Sequence, residues 1–179
     1  GLTPAKVDIV GISIAVQPGE AAYIPLNHKS VPVDLLDDGK GEDIPQLKLE
    51  KIVEIMKPIL EDESVLKIGH NIKYDWQIFK NIGIELTPCD DTMLISYVLD
   101  GTSHSNGMDN LSQLYLGHTP IKFEEVAGKG KNQVTFDLVS IDSALEYAAE
   151  DADITLRLHK ILKPRLAKEK MVSVYEEIE

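Results

Sequence analysis

Apolar positions form short continuous runs near the start of the chain and fall at helical spacing through the rest. Ile9 to Val16 is almost wholly apolar and rich in β-branched residues, and Pro18-Gly19 separates it from Ala21-Ala22-Tyr23-Ile24. That pattern predicts a β-hairpin packed on a core. From His28 to Pro45 the chain is polar and acidic without a period, which predicts a surface loop. Leu49, Ile52, Val53, Met56 and Leu60 then recur on one helical face, so a helix is expected from Gln46 to about Glu61, bent at Pro58. Val65 to Ile68 reads as a strand that hands over through Gly69-His70 to Asn71, a residue type that caps helices. The helix it opens should run from Ile72 to about Ile82 and stop at Gly83. Further helices are expected from Asp91 or Thr92 to Leu99, from Met108 to Leu116, and from Ile141 to about Leu162, with a short one at the end. Gly128 to Gln133 carries two glycines and two lysines and predicts a mobile basic loop.

Strands come early and helices dominate later, which gives an α/β chain with a mixed β-sheet flanked by helices. With 179 residues, 43% of them hydrophobic, residues 1–179 suffice for a single domain around one core. The formal net charge of -12 argues against a module that holds nucleic acid mainly by neutralising phosphates. Bound cations could supply the missing positive charge. Cys89 is the sole cysteine, so no internal disulfide is possible and a reducing cytoplasm is the expected setting. The run Ile9–Val16 is too short for a membrane span. His28, His70, His104, His118 and His159 show no zinc-like spacing, and structural or surface roles are expected for all five.

Asp75 shares a predicted helical face with Ile72, Phe79 and Ile82. A carboxylate on an apolar face needs strong hydrogen bonds, a basic partner or a cation, and the pattern alone leaves all three open. Tyr147 and Asp151 lie four residues apart, one helical turn, and can address one bound group. A hydrogen-bonded structural pair is equally open, and Glu150 and Asp153 read as a solvated acidic edge.

Taken together these segments say more. Gly69-His70-Asn71-Ile72-Lys73-Tyr74-Asp75, Asp91-Thr92-Met93-Leu94, Phe123 to Gln133 and Tyr147 to Asp153 resemble, in order and spacing, the 3′-5′ exonuclease domain of bacterial DNA polymerase I. The resemblance covers essentially the whole chain. It implies a ribonuclease H-like fold and removal of misincorporated nucleotides from single-stranded DNA 3′ ends. It also implies two divalent cations, Mg2+ or Mn2+, which suit oxygen ligands, and a polymerase domain on the same polypeptide as partner.

In that family an Asp and a Glu on the first strand, an Asp of an Asn-x-x-x-Asp pattern and an Asp of a Tyr-x-x-x-Asp pattern hold the metals. Asp75 and Asp151 match the last two, and Tyr147 matches the tyrosine that orients the attacking water. Leu2, Asn71, Tyr74 and Phe123 match substrate contacts, and Lys129 and Lys131 could meet phosphates. The acidic pair of the first strand has no counterpart, and the chain opens with Gly1-Leu2, a pair that follows that motif in the family. The expectation is therefore a monomeric chain starting just past the motif, with weak or absent activity of its own. An arginine that many relatives carry near His104-Ser105-Asn106 is also missing.

Two alternatives accompany this reading. A catalytically silent module that binds single strands or braces a polymerase would have no need of Asp75, Tyr147 and Asp151. A ribonuclease D-like RNA-trimming enzyme shares the Tyr-x-x-x-Asp pattern, but the Lys129 to Gln133 loop and the ending at Glu179 fit it less well.

Overall fold

The computed structural model describes residues 8–30 and 44–178. The expected hairpin forms from β1 (Gly11–Gln17) and β2 (Glu20–Pro25), paired antiparallel with Ile12 opposite Ile24 and Ile14 opposite Ala22. Its turn is the Pro18-Gly19 step, where Gly19 takes a φ of 83° that other residues adopt only with strain. The remainder of the predicted acidic loop, residues 31–43, lies outside the described residues.

Helix α1 (Leu49–Leu60) starts three residues later than the periodicity suggests. It buries Ile52 and Met56 against Ile12 of β1. β3 (Lys67–Gly69) and β4 (Cys89–Asp91) pair in parallel, Gly69 opposite Asp91, and α2 (Ile72–Asn81) is the crossover between them. Among the described residues the expected sheet appears instead as two separate two-stranded sheets, one antiparallel and one parallel. α3 (Thr92–Asp100), α4 (Met108–Leu116) and the short α5 (Phe123–Ala127) follow.

The longest element is α6 (Ile141–Lys168), and it packs against both strands of the hairpin, β3, α3 and α4. It does not end near Leu162 as expected but runs on through Pro164. Ile154, Leu158, Leu162 and Leu166 are spaced four apart and at most 2% exposed, so the apolar stripe continues past the proline. An interior proline costs a helix about 3 kcal/mol. Burying Leu166 returns about 1.5–3 kcal/mol, and Arg165, held to Asp100 at 2.9 Å and Glu169 at 2.8 Å, adds to it. The main core forms where this stripe meets Ile95, Leu111 and Tyr175, the last carried by α7 (Val172–Ile178).

Residues 128–133 carry local structure. They fold as a 3-10 turn over Gly130–Asn132, and Val134 N–H closes it on Ala127 O at 2.8 Å. No described helix is long and apolar enough to cross a membrane.

Candidate active site

Asp151 and Tyr147 come from the first half of α6, and both are half-buried. Desolvation, with Glu150 and Asp109 nearby, raises the Asp151 carboxyl to about 7, while the Tyr147 hydroxyl one turn back offsets part of the rise. Desolvation and the Asp151 charge in turn push the Tyr147 phenol to about 12. At neutral pH the phenol therefore keeps its proton, and the carboxyl gives up its own less readily than an ordinary aspartate.

Phe123 opens α5 and is 39% exposed. Its ring centroid lies 6.1 Å from that of Tyr147 in an edge-on arrangement. Sequence reasoning missed the residue that completes this wall. Phe136 sits 5.9 Å from Tyr147 and 6.2 Å from Phe123, and beyond it stand Tyr23 and His28 at 6.3 and 5.8 Å. The buried His28 anchors that end, with Nε2 2.6 Å from Tyr23 Oη and Nδ1 2.9 Å from Val139 O. Nothing in the spacing of Phe136 sets it apart from an ordinary core residue.

Asp75 lies in the first turn of α2. Ile72 is buried as its face predicts, but the Asp75 residue itself is exposed. Protein nevertheless crowds the carboxyl closely enough that desolvation, then the Asp91 charge, raises it to about 6, against one backbone N–H that lowers it.

Asn71 occupies the cap position but not the capping role. Its backbone is left-handed at φ 58°, ψ 45°, and its side chain makes no cap bond. Asp91 does that work instead, taking the N–H groups of Asn71 at 2.9 Å and Ile72 at 3.1 Å. Gly69 is required just before this turn, since a Cβ there would stand 2.7 Å from Ile72 Cγ1. Tyr74, one residue before Asp75, is half-buried. Leu2 lies outside the described residues.

The described residues do not gather three histidine, cysteine or acidic side chains at a spacing that could hold a metal ion. They bring Tyr147, Asp151 and Phe123 together, and place Asp75 with Asp91. Lys129 pairs with Glu124 at 3.0 Å on the surface. Glu150 and Asp153 are not a solvated edge. Glu150 accepts from His118 Nε2 and Ile121 N–H, both at 2.7 Å. Asp153 accepts from Gly19 N–H and Arg157 Nε, also both at 2.7 Å. Gly19, His118 and Arg157 line, with Glu150 and Asp153, a cavity of about 610 Å³.

Comparison with known proteins bears on this geometry. A family model described as 3′-5′ exonuclease matches residues 1–167. DNA polymerase I of Rhizobium leguminosarum is 49% identical over 99% of this chain and 18% of its own length. That of Pseudomonas aeruginosa is 44% identical over 90% of this chain and 17% of its own. The chain thus spans under a fifth of the length of these relatives. Among solved structures, Brucella melitensis NrnC superposes with a TM-score of 0.70 at 21% identity, covering 99% of this chain and 74% of that one. The same protein with bound Mg2+ gives 0.68 at 20% identity over the same shares. At that identity the likeness establishes the fold, that of ribonuclease H-like nuclease domains.

Proposed function

The chain belongs to the 3′-5′ exonuclease family, and from that premise we propose that it removes nucleotides from single-stranded DNA 3′ ends, releasing nucleoside monophosphates. In the cell it would do so as the proofreading part of a longer DNA polymerase I polypeptide, with the polymerase domain as its partner. The observation that carries the reading is a pair of carboxylates, Asp75 raised to about 6 and Asp151 to about 7, with no lysine or arginine among the causes of either shift. Such groups favour a cation over a proton once one is supplied. An all-oxygen donor set fits Mg2+ or Mn2+, and the Mg2+-bound relative in fold points the same way.

On this reading Asp75 and Asp151 would each hold a divalent cation. When bound, the pair would stabilise the attacking and leaving oxygens of displacement at phosphorus. The chain's own side chains supply the rest. Tyr147, protonated at neutral pH, positions a water through its hydroxyl beside Asp151. Phe123, exposed and backed by Phe136, offers a face on which a terminal base stacks whatever its identity. Asn71 and Tyr74, at the head of α2, flank the same strand, and Leu2 would press on the last base. Residues 1–179 then form one exonuclease domain.

The test is digestion of 3′-labelled single-stranded DNA by the full-length protein in Mg2+ or Mn2+. Wild type should release monophosphates and Asp151→Ala should release none. A wild type that binds single strands yet releases nothing would make the domain a silent module. Preference for RNA ends would make it an RNA-trimming enzyme.

A further inference from the structure

Two adjacent carboxylates that the proposed chemistry does not use sit where four helices meet. Asp90 is 2% exposed and Asp91 8%. Asp91 accepts from four backbone N–H groups: Asn71 at 2.9 Å and Ile72 at 3.1 Å at the head of α2, Met93 at 2.9 Å and Leu94 at 3.3 Å at the head of α3. A helix start leaves several N–H groups without partners and carries partial positive charge. One side chain here answers two such ends at once. Beside it, Thr92 Oγ1 donates to Gly69 O at 3.1 Å and lies 2.8 Å from His70 Nδ1. The whole entry to α2, from Gly69 to Ile72, is thereby held by Asp91 and Thr92.

Asp90 faces the other way. It accepts from His159 Nε2 at 2.6 Å and Lys163 Nζ at 2.8 Å, both on α6, and from Tyr175 Oη of α7 at 3.2 Å. The same Tyr175 hydroxyl accepts the Asp91 N–H at 3.0 Å. A continuous set of hydrogen bonds thus runs from α6, which carries Asp151, through Asp90, Tyr175 and Asp91 to the first turn of α2, which carries Asp75.

We propose that Asp90 and Asp91 are positioning residues that set α2 against α6, with Asp91 fixing the first turn of α2 and so the aim of the Asp75 carboxylate. The inference rests on the reading of Asp75 as a cation ligand. Asn71 is the point of leverage. Its left-handed backbone is one that asparagine tolerates better than most residues but that still costs more than the right-handed form, and the Asp91 bond to its N–H holds it there. Release of that bond lets Asn71 relax and swings Tyr74 and Asp75, which follow it in the chain.

The experiment compares full-length wild type with Asp91→Asn, Tyr175→Phe and a control, Ser140→Ala, which removes the cap of α6 instead. Two quantities are read: amide hydrogen exchange of the segment 69–75 in chelator, and the Mg2+ concentration giving half-maximal nucleotide release. Asp91→Asn should speed exchange in 69–75 and raise the half-saturating Mg2+ about 10-fold, as loss of a partner that orients a metal ligand does, with rate recovered at high Mg2+. Tyr175→Phe should move both in the same direction by less, and Ser140→Ala should move neither. An Asp91→Asn protein that melts earlier but keeps wild-type exchange and Mg2+ dependence overturns the proposal. Should Asp91→Asn not fold, Tyr175→Phe decides, and no change in its exchange overturns the proposal equally. If wild type releases no nucleotide under any metal, the nuclease reading fails, while the exchange data still judge the clamp.

Discussion

At the scale of single residues, the conflict lies in Asp151. Its carboxyl is raised to about 7, so the folded chain holds a proton there that the unfolded chain, titrating near 3.8, gives up. Stability without metal should therefore fall as pH rises from about 4 through 7, because the native state binds more protons over that window. Asp151→Asn removes the ionisable group while keeping its shape. In chelator at pH 8 it should gain about 1 kcal/mol, discounted for partial solvent contact, which is about 2–4 °C in Tm for a domain of this size. Divalent metal should stabilise wild type and not the variant. Thermal melts at pH 5 and pH 8, with and without Mg2+, give the answer, and a variant no more stable than wild type at pH 8 in chelator would show the carboxylate is not strained. Tyr147→Phe makes a separate point. It keeps the ring packing on Phe123 and Phe136 but loses the hydroxyl, so kcat should fall about 10- to 100-fold with KM little changed, as loss of a group that orients the attacking water does.

At the scale of elements, α6 is the member on which the rest is assembled. Leu158 is fully buried on its inner face, and Leu158→Ala should cost about 2–5 kcal/mol in urea unfolding, against under 1 kcal/mol for an exposed position such as Lys160→Ala. This helix and α2 were legible in the sequence because their apolar residues repeat with a period that nothing else imitates. The hairpin was legible because Pro18-Gly19 interrupts a β-branched run. What stayed hidden depends on contacts distant along the chain. Asn71 looks like a cap, yet the capping oxygens come from Asp91, 20 residues on. Glu150 looks like a solvated edge until His118, 32 residues back, closes on it. Pro164 looks like a stop, and only the continuing row of Leu162 and Leu166 against α7 shows why it is not. For the site, the Tyr147–Asp151 spacing was readable from one helical turn. The place of Phe136 beside Tyr147 was not, since a phenylalanine in a loop carries no mark of its neighbours.

At the scale of the whole molecule, a net charge of -12 sets the terms on which a polyanion can approach. An acidic body repels the phosphates of DNA, and simple salt screens that repulsion over about 10 Å at 0.1 M. A protein that grips DNA through lysine and arginine loses affinity steeply as salt rises, because counterions are released on binding. This chain has 30 acidic against 18 basic residues, and it should do the reverse in the absence of divalent metal. Its affinity for a single-stranded oligonucleotide in chelator should be weak, and flat or slightly rising between 20 and 200 mM NaCl. Millimolar Mg2+ should strengthen binding, most for an oligonucleotide whose 3′ end is free, because charge is then supplied at the carboxylates and not over the surface. Fluorescence anisotropy with a non-hydrolysable phosphorothioate strand measures this directly. A steep fall in affinity with NaCl, already in chelator, would place the DNA on a basic surface away from Asp75 and Asp151 and would separate binding from the carboxylates altogether.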